Sequence, residues 1–454
     1  MVEWSVRGWL LVVLISACGD EPRSPRELRV IDTLVADNAA YTAREPWLVA
    51  LKLKKMQRSS YEWMRGSSGL YWRDVIDGDP RLATAFTAPS VLVVGDPHPE
   101  NLGTFRAADG TMLVDWNDLD AAGYGPFVAD LRRLAVGMVL ATHGDGDDAV
   151  LVSRIVEGYT AQITGLASGG APIALGRGLH PLFDEELDDA EDLGDEAVAV
   201  TELAGPTRVL RVGDLDPVAG DGVYEDTVFE VSADEAARID AAVAQWAARR
   251  GEPAAVKLRA RRVGAGVSSY PALRYNVLLD GPTTGPADDF VIELKEERDG
   301  VFLAGAIDQH APAWSSPAAR VADAQLRAHA RADADALLGF ADLGGLSLKV
   351  RDRAPYQRGL SHTAIDALGK KDLLALGTLL GGRLASSHGA SLNSQGVMGW
   401  TVIAPVIAGR QQELTDEVIA TALAEAAQEA ADHDAFEHDD LSPLVIPSAD
   451  QGRP

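Results

Sequence analysis

The chain has 454 residues, of which 41 are lysine or arginine and 68 are aspartate or glutamate, so its formal net charge at neutral pH is −27. This acidic balance excludes nucleic acid as an expected partner, because a protein that binds the phosphate backbone needs a basic face. With 46% hydrophobic and 24% charged residues the composition is that of a globular protein, and its length predicts about two to three core-sized units or one elaborated fold.

The N-terminus has the pattern of a secretion signal. Arg7 precedes the apolar run 8–17, which is long enough for the core of a signal peptide and too short to span a bilayer. The run ends in LISAC (14–18), which resembles the lipobox of bacterial lipoproteins, and Cys18 is the one cysteine of the chain. The resemblance implies cleavage before Cys18, lipidation of its sulfur and a lipid anchor in the bacterial cell envelope, outside the cytoplasm. A buried N-terminal helix with an incidental cysteine is the alternative.

Hydrophobic periodicity predicts helices in several parts of the chain. Apolar residues recur at helical spacing in several segments. Ser232 and Glu235 have the spacing of a capping box and predict a helix that continues to Arg249. The predicted helices occupy 27–73, 127–142, 232–249, 318–340, 371–387 and 416–431.

Short apolar runs bounded by turn residues predict buried strands at 90–95 and 111–115 and a strand-rich stretch at 255–306. The acidic run 184–196 is expected to be a solvated loop. On these patterns the chain divides into a signal peptide (1–17), a segment with Cys18, a tether and a first helix (18–50), a catalytic-loop and metal-binding half (51–195), a strand-rich region like a nucleotide-binding lobe (196–310), a helical region (311–440) and a flexible tail (441–454).

Two neighbouring strands end in side chains suited to phosphoryl transfer. The first delivers Asp96 into a loop with two prolines, Asn101 follows five residues later, and the second strand ends at Asp115. The reaction needs a carboxylate that orients the acceptor hydroxyl and oxygen ligands for a metal that neutralises the phosphates. Ordinary turn roles for Asp96, Asn101 and Asp118 are the alternative.

These segments carry a family resemblance. GDPHPEN (95–101) and LVDWND (113–118) resemble the core of aminoglycoside and choline phosphotransferases, which belong to the protein-kinase-like superfamily. More closely, GDPHPENLG, VDWNDLD (114–120) and DLRRLA (130–135) resemble the bacterial domain-of-unknown-function 2252 family, over about residues 51–390.

The resemblance implies a role for each of five residues. Asp96 is the catalytic carboxylate, Asn101 and Asp115 bind Mg²⁺, and Asp130 is a structural carboxylate on the following helix. His98 either supports the loop by hydrogen bonding or contacts the phosphates of the nucleotide.

A nucleotide-binding segment is expected far downstream of these motifs. Gly264, Gly266 and Ser268 lie in a glycine-containing turn, where glycine lets the backbone approach phosphates. Lys295 ends an apolar strand in a chain with 8 lysines and 33 arginines, which indicates that a compact ammonium group is wanted there. Because kinases have these parts before the catalytic loop, the order predicts an α+β, kinase-like fold of two lobes with circularly permuted motifs.

The leading functional hypothesis is an Mg²⁺- and ATP-dependent phosphotransferase whose acceptor is an unknown hydroxyl-bearing small molecule or protein. A position outside the cytoplasm, where ATP is scarce, favours an alternative: an inactive kinase-like module that binds a ligand or protein at the envelope. A third possibility is a metal-dependent phosphohydrolase that uses Asp96, His98, Asp115 and Asp118. For Gln325, Arg351 and His388 a core or solvated position is at least as well supported by the sequence as a functional role. Arg65 either contacts a phosphate or forms a structural salt bridge.

Overall fold

The computed structural model of the chain describes residues 23–142, 147–196, 200–213, 223–224, 227–283, 285–301, 314–343, 345–354 and 356–438. The predicted signal peptide 1–17, the lipidation site Cys18 and the predicted tail 441–454 lie outside these residues. Within the described residues, no helix is both long and apolar enough to span a membrane.

The described part of the chain combines helices with antiparallel sheets, which confirms the α+β class. Its α-helices are α1 (Pro25–Thr42), α2 (Pro46–Met56), α3 (Ser60–Gly66), α4 (Ser68–Ile76), α5 (Phe127–Leu140), α6 (Asp148–Ala167), α7 (Pro181–Glu196), α8 (Ala233–Arg250), α9 (Pro317–Ala328), α10 (His362–Asp366), α11 (Lys370–Ala390), α12 (Trp400–Ile407) and α13 (Gln411–His438). Its strands are β1 (Val91–Val93), β2 (Leu102–Arg106), β3 (Met112–Trp116), β4 (Gly123–Gly125), β5 (Thr201–Ala204), β6 (Thr207–Leu210), β7 (Thr227–Glu230), β8 (Val256–Val263), β9 (Arg274–Leu279), β10 (Phe290–Glu296), β11 (Gly339–Leu343) and β12 (Leu346–Asp352).

The largest sheet has six antiparallel strands in the order β11-β12-β10-β9-β8-β7. Alternate residues of a strand point to opposite faces. On β10, Ile292 and Leu294 pack in one apolar cluster with Trp246 of α8, so this helix covers one face. The residues between and after them, Glu293 and Lys295, therefore point to the other face.

The helical part of the molecule has its own core. Helices α5, α6 and α11 bury their apolar faces together with the short strands β1 and β3, as shown by Leu134, Ile155, Leu380 and Val114. The predicted capping box opens α8, where Ser232 Oγ accepts a hydrogen bond from the backbone N–H of Glu235.

The first and last helices meet in space. Arg26 near the start of α1 donates from Nε to Asp432 of α13 over 3.0 Å. Arg133 of α5 donates from Nη1 to Glu429 of α13 over 3.0 Å. Helix α13 thus packs against the N-terminal helix α1 and against α5, the helix that contains Arg133.

Two local predictions were wrong. Residues 184–196 were expected to be a loop but belong to α7, because Phe183, Leu187 and Ala190 form a buried apolar stripe at helical spacing while the acidic residues lie around it. The predicted helical region 311–440 contains β11 and β12, and the helix expected over 318–340 ends at Ala328. The alternation of apolar Leu346, Leu348 and Val350 has the period of a strand rather than of a helix.

Candidate functional site

The loop that presents Asp96 is fixed by a glycine turn and by the following helix. Gly95 has a φ of 88°, in the left-handed region that favours glycine. A Cβ at this position would lie 2.1 Å from the carbonyl oxygen of Ala121, so the turn has no room for a side chain. The backbone N–H groups of Val94 and Gly95 donate to the two carboxylate oxygens of Asp130 over 2.8 and 2.9 Å. Asp130 thereby holds the loop in place.

Asp130 is in turn held by a buried hydrogen-bonded chain. His388 Nε2 of α11 lies 2.9 Å from Asp130 Oδ2, and the hydroxyl of Tyr159 lies 2.8 Å from His388 Nδ1. All three side chains are fully buried. His388 therefore has the structural position that its sequence context indicates.

Asp96 lies at the floor of a cleft, with 9% of its surface exposed. Its Oδ1 accepts a hydrogen bond from Nε of Arg133 over 2.8 Å. Burial raises the pKa of Asp96 above its ordinary value, and the positive charge of Arg133 opposes that rise. The guanidinium group fixes the carboxylate but occupies one of its two oxygens.

His98 lies beside Asp96 as a neutral ring. Its Nε2 is 3.9 Å from Asp96 Oδ2. Burial lowers the pKa of His98 well below its ordinary value, and the nearby charges of Arg65 and Arg133 lower it further. Its Nδ1 is buried, and none of the described residues offers it a hydrogen-bond partner. The neutral ring can donate a hydrogen bond to a ligand or accept one from it, but it adds no positive charge to the cleft.

Asn101 ties two loops of the site together. Its Nδ2 donates to the backbone carbonyl of Asp96 over 3.0 Å and to that of Asp118 over 2.7 Å. With both donor positions used in this way, the amide oxygen is the atom left to bind a cation. Asn101 lines the cleft and is 4% exposed.

Asp115 does not line the cleft. It is fully buried, and Arg383 of α11 donates to its Oδ1 from Nε over 2.9 Å. Its other oxygen accepts from the backbone N–H of Ala330 over 2.7 Å. Although burial opposes ionisation, the charge of Arg383 contributes to lowering the pKa of Asp115. These contacts connect β3 to the helices behind it, which is a structural arrangement.

Unlike Asp115, Asp118 and Asp120 line the cleft. Lys295 Nζ of β10 lies 2.9 Å from Asp118 Oδ1 and also contacts Asp120. Lys295 is 2% exposed, whereas the two aspartate side chains are 36% and 30% exposed.

Asp118 and Asp120 differ in their ionisation because of their surroundings. Burial opposes the ionisation of Asp118, but the charge of Lys295 lowers its pKa well below the ordinary value. Burial and the charge of Asp118 raise the pKa of Asp120 well above its ordinary value. In the described structure these two carboxylates share the ammonium group of Lys295.

The sheet wall of the cleft carries excess positive charge. Glu293 is fully buried among three arginines that line the cleft. Arg351 donates to Glu293 Oε1 from Nε over 2.8 Å, Arg274 lies 3.4 Å from the same oxygen, and Arg262 contacts the other one. Three guanidinium groups around one carboxylate give a locally basic surface in a strongly acidic protein.

The glycine-containing turn lies between β8 and β9. Gly264 and Gly266 have φ values of 94° and 74°, and residues 265–269, with Ser268 among them, line the cleft. Ser269 Oγ accepts a hydrogen bond from Arg274 Nη2 over 2.7 Å, which ties the turn to the basic wall.

The cleft has a volume of about 990 Å³, within the range of small-molecule and cofactor sites. The N-terminal helices form the wall opposite the sheet, where Lys52 of α2 and Arg65 of α3 line it. Arg65 contacts Glu100, which also accepts from His362.

Most of the residues expected from the sequence lie in this cleft: Asp96, His98, Asn101, Gly266, Ser268 and Lys295. Gly264 is adjacent to its lining, Asp115 lies behind it, and Cys18 lies outside the described residues. Sequence reasoning did not single out Asp120 or the basic residues Arg262, Arg274 and Lys349. For Lys349 the same sequence signal was present as for Lys295, since lysine is rare in this chain and Lys349 also lies in an apolar strand.

These features define an α+β protein in which acidic loops and a basic sheet face one cleft. The profile of DUF2252, described as uncharacterized protein conserved in bacteria, matches residues 44–439, and the chain belongs to this family. No curated protein and no solved structure gives a significant match.

Proposed function

We propose that this protein is a kinase-like phosphotransferase that transfers a phosphoryl group from an Mg²⁺–nucleotide, ATP in the first instance, to a hydroxyl-bearing acceptor. The observation that carries the proposal is the convergence of Lys295 with Asp118 and Asp120, next to Asp96 and Asn101, across one cleft. Phosphoryl transfer relies on positioning and on stabilisation of charge, and a lysine opposite metal-binding oxygens supplies both.

The oxygens at the cleft fit a magnesium ion. Asp120 Oδ1 is buried without a hydrogen-bond partner among the described residues, so an unsatisfied acceptor lies at this point. Mg²⁺ at such sites takes one or two carboxylates, with substrate phosphates and water completing its shell. The part of the chain that the structure describes contains no group of three or more His, Cys, Asp or Glu suited to a metal ion.

We assign the metal-binding role to Asn101, Asp118 and Asp120 rather than to Asp115. Both oxygens of Asp115 are already bonded, to Arg383 and to backbone N–H groups. A bound Mg²⁺ would neutralise charge on the phosphates of the donor.

The remaining roles follow from position. Asp96 orients the acceptor hydroxyl and receives its proton. Lys295 exchanges its ion pair with Asp118 for a phosphate oxygen of the donor. The turn with Gly266 and Ser268 covers the phosphates. Because Asp96 precedes Lys295 in the chain, the proposed fold is a kinase-like one with its motifs in circularly permuted order.

A non-catalytic binding role is the second candidate, and one observation favours it. Asp96 Oδ1 is bonded to the buried guanidinium of Arg133, which leaves a single carboxylate oxygen for an acceptor. A module that binds the nucleotide or another anion without turnover would keep the Lys295–Asp118 pair and need no base.

We place the protein at the bacterial cell envelope, attached through a lipid on Cys18. The support is the sequence pattern of residues 7–18 alone. The acceptor would then be a small molecule or protein that is present outside the cytoplasm.

Calorimetric titration with Mg²⁺–ATP and measurement of ADP formation test the function. We expect wild type to bind, Asp118→Ala to bind at least about tenfold more weakly, and the exposed-site control Asp32→Ala to bind as wild type does. Asp96→Asn should bind the nucleotide normally and lose turnover. Binding without turnover in wild type would favour the non-catalytic role, and absence of Mg²⁺–ATP binding in wild type would contradict the proposed phosphotransferase.

A further inference from the structure

Three basic residues lie side by side on adjacent strands of the large sheet. Lys295 on β10 is the direct cross-strand partner of Arg274 on β9 and of Lys349 on β12. Direct cross-strand partners point to the same face of a sheet, and all three residues line the cleft. We call Arg274, Lys295 and Lys349 the cationic row.

The cationic row is buried and incompletely paired. Its members are 6%, 2% and 1% exposed, in that order. The ion pair of Lys349 is with Glu297 Oε1 at 3.8 Å, which is too long for a hydrogen bond. Arg274 bonds to Ser269 and lies 3.4 Å from Glu293 Oε1, an oxygen that it shares with Arg351, but its Nε is buried with no hydrogen-bond partner in the described part of the chain. Buried ammonium and guanidinium groups are costly unless an anion satisfies them.

Like charges directly opposite each other on neighbouring strands also destabilise a sheet. Asp118 and Asp120 offset the charge of Lys295, the central member, but they contact neither Arg274 nor Lys349 through any hydrogen bond. Arg262 and Arg351, which surround Glu293, add further positive charge to the same wall. A sheet built in this way gains stability when an anion binds along the row.

We propose that the cationic row binds a chain of phosphoryl groups joined by phosphoanhydride bonds, and that Lys349 and Arg274 bind this ligand together with Lys295. As a statement about the phosphoryl donor this rests on the proposed function, whereas the binding site stands on the row itself. The recognised chemistry is the phosphate chain, whether it comes from a nucleoside triphosphate or from inorganic polyphosphate.

The length of the row selects a chain over a single anion. Neighbouring strands are about 4.8 Å apart, so the three residues span about 10 Å. A chain of two or three phosphoryl groups can bond to all three residues in these positions, whereas a single phosphate or carboxylate would have to draw the two outer side chains together. Arginine binds phosphate oxygens in a bidentate manner and lysine binds them as a point charge, so the row suits successive phosphoryl groups.

The test is calorimetric titration of the full chain with inorganic tripolyphosphate, orthophosphate, ATP and AMP at one ionic strength. We expect tripolyphosphate and ATP to bind at least about tenfold more tightly than orthophosphate and AMP, since only the former reach the whole row. In Lys349→Met and in Arg274→Gln, affinity for tripolyphosphate should fall at least about tenfold. The control Lys371→Met, an exposed lysine of α11, should bind as wild type does.

Because Lys349 is buried, its variant is also melted without ligand. Removal of one of several like charges should leave the melting temperature of Lys349→Met equal to or above that of wild type. If Lys349→Met fails to fold, the affinity of Arg274→Gln for tripolyphosphate tests the site. Equal affinity for tripolyphosphate and orthophosphate, or undiminished tripolyphosphate binding in both row variants, would overturn the site.

The two proposals fail separately. If the row variants lose tripolyphosphate binding but wild type converts no ATP, the anion site stands and the phosphotransferase role falls. If ATP turnover depends on Asp118 while Lys349→Met and Arg274→Gln keep wild-type KM and tripolyphosphate affinity, the phosphotransferase role stands and the row is wrong.

Discussion

Lys295 Nζ lies 2.9 Å from Asp118 Oδ1, although 177 positions separate the two residues in the chain. The contact joins the central strand of the large sheet to the loop that follows β3. Lys295 is buried and Asp118 is half-buried, and the pair lies in the lining of the cleft, where these two parts of the molecule meet. An anionic ligand that enters the cleft must compete with Asp118 for this ammonium group.

Substitution of Asp115 should destabilise the protein much more than substitution of Asp118. Asp115→Ala should lower the free energy of unfolding by about 3–5 kcal/mol, because it leaves the buried guanidinium of Arg383 unpaired. Asp118→Ala should change it by no more than about 1 kcal/mol, because its ion pair is partly exposed. Urea unfolding measures both. Equal destabilisation by the two substitutions would contradict the assignment of Asp115 to structure.

Removal of the ammonium group of Lys295 should abolish most of the proposed phosphotransferase activity. We expect Lys295→Met to lower kcat/KM for ATP by about 10²–10³, the usual effect of losing one electrostatic contact to developing charge. Lys257→Met is a control on the same sheet, since this lysine pairs with Asp280 and Asp289 away from the cleft. Steady-state ADP formation measures both variants, and an unchanged rate in Lys295→Met would argue against a phosphate-binding role.

A methyl group at Gly95 should disrupt the loop that presents Asp96. Gly95 and Gly110 have nearly the same φ, 88° and 86°, but a Cβ at Gly110 meets nothing within 4 Å. Gly110→Ala therefore measures backbone strain alone, about 1–3 kcal/mol. Gly95→Ala adds a collision with the backbone of Ala121 and should cost more. Comparison of the two unfolding midpoints separates the effects, and equal costs would show that the turn can relax.

Because Lys52 is buried, the free energy of unfolding should change with pH in the alkaline range. Burial lowers its pKa from 10.5 to about 8, with the charge of Asp37 opposing the change. Between these values the unfolded chain binds the proton and the folded protein does not, so stability from this group rises as pH increases through that window. Lys52→Met should therefore raise the free energy of unfolding more at about pH 7 than at about pH 10. The same difference at both values would contradict a lowered pKa.

The proposed anchor makes a prediction about fractionation. If Cys18 is the lipidated residue, Cys18→Ser removes the sulfur needed for the thioether. We expect wild type in the membrane fraction and labelled by a fatty acid, and the variant unlabelled. Recovery of Cys18→Ser outside the membrane fraction, without its signal peptide, would support the proposed anchor. Persistent fatty-acid labelling of Cys18→Ser would contradict it.

The α+β class and the family could be predicted from the sequence, since both rest on local patterns. The strand-rich stretch predicted at 255–306 contains β8, β9 and β10, because turn residues flank short apolar runs there. The capping box of α8 is equally local. Strands β11 and β12 were missed because they are short, and their alternating apolar residues follow a segment with helical periodicity.

Within the candidate site, the sequence indicated the residue types but not which carboxylate reaches the cleft. Asp115, Asp118 and Asp120 lie within six positions, and spacing alone does not distinguish them. Their difference arises from distant partners: Arg383 binds Asp115, and Lys295 binds the other two. Such partners are fixed by the tertiary structure, so local motifs alone do not show that Asp115 lies behind the cleft while Asp118 and Asp120 line it.

The placement of Arg133 has a consequence for biosynthesis. The same guanidinium group holds Asp96 and bonds to Glu429, which lies 296 positions later in the chain. Contacts of such long sequence separation form late, because a large loop must close before they contribute. A nascent chain in which residues 411–438 have not yet left the ribosome therefore lacks the contact between Glu429 and Arg133, and the guanidinium group that holds Asp96 is then fixed on one side only.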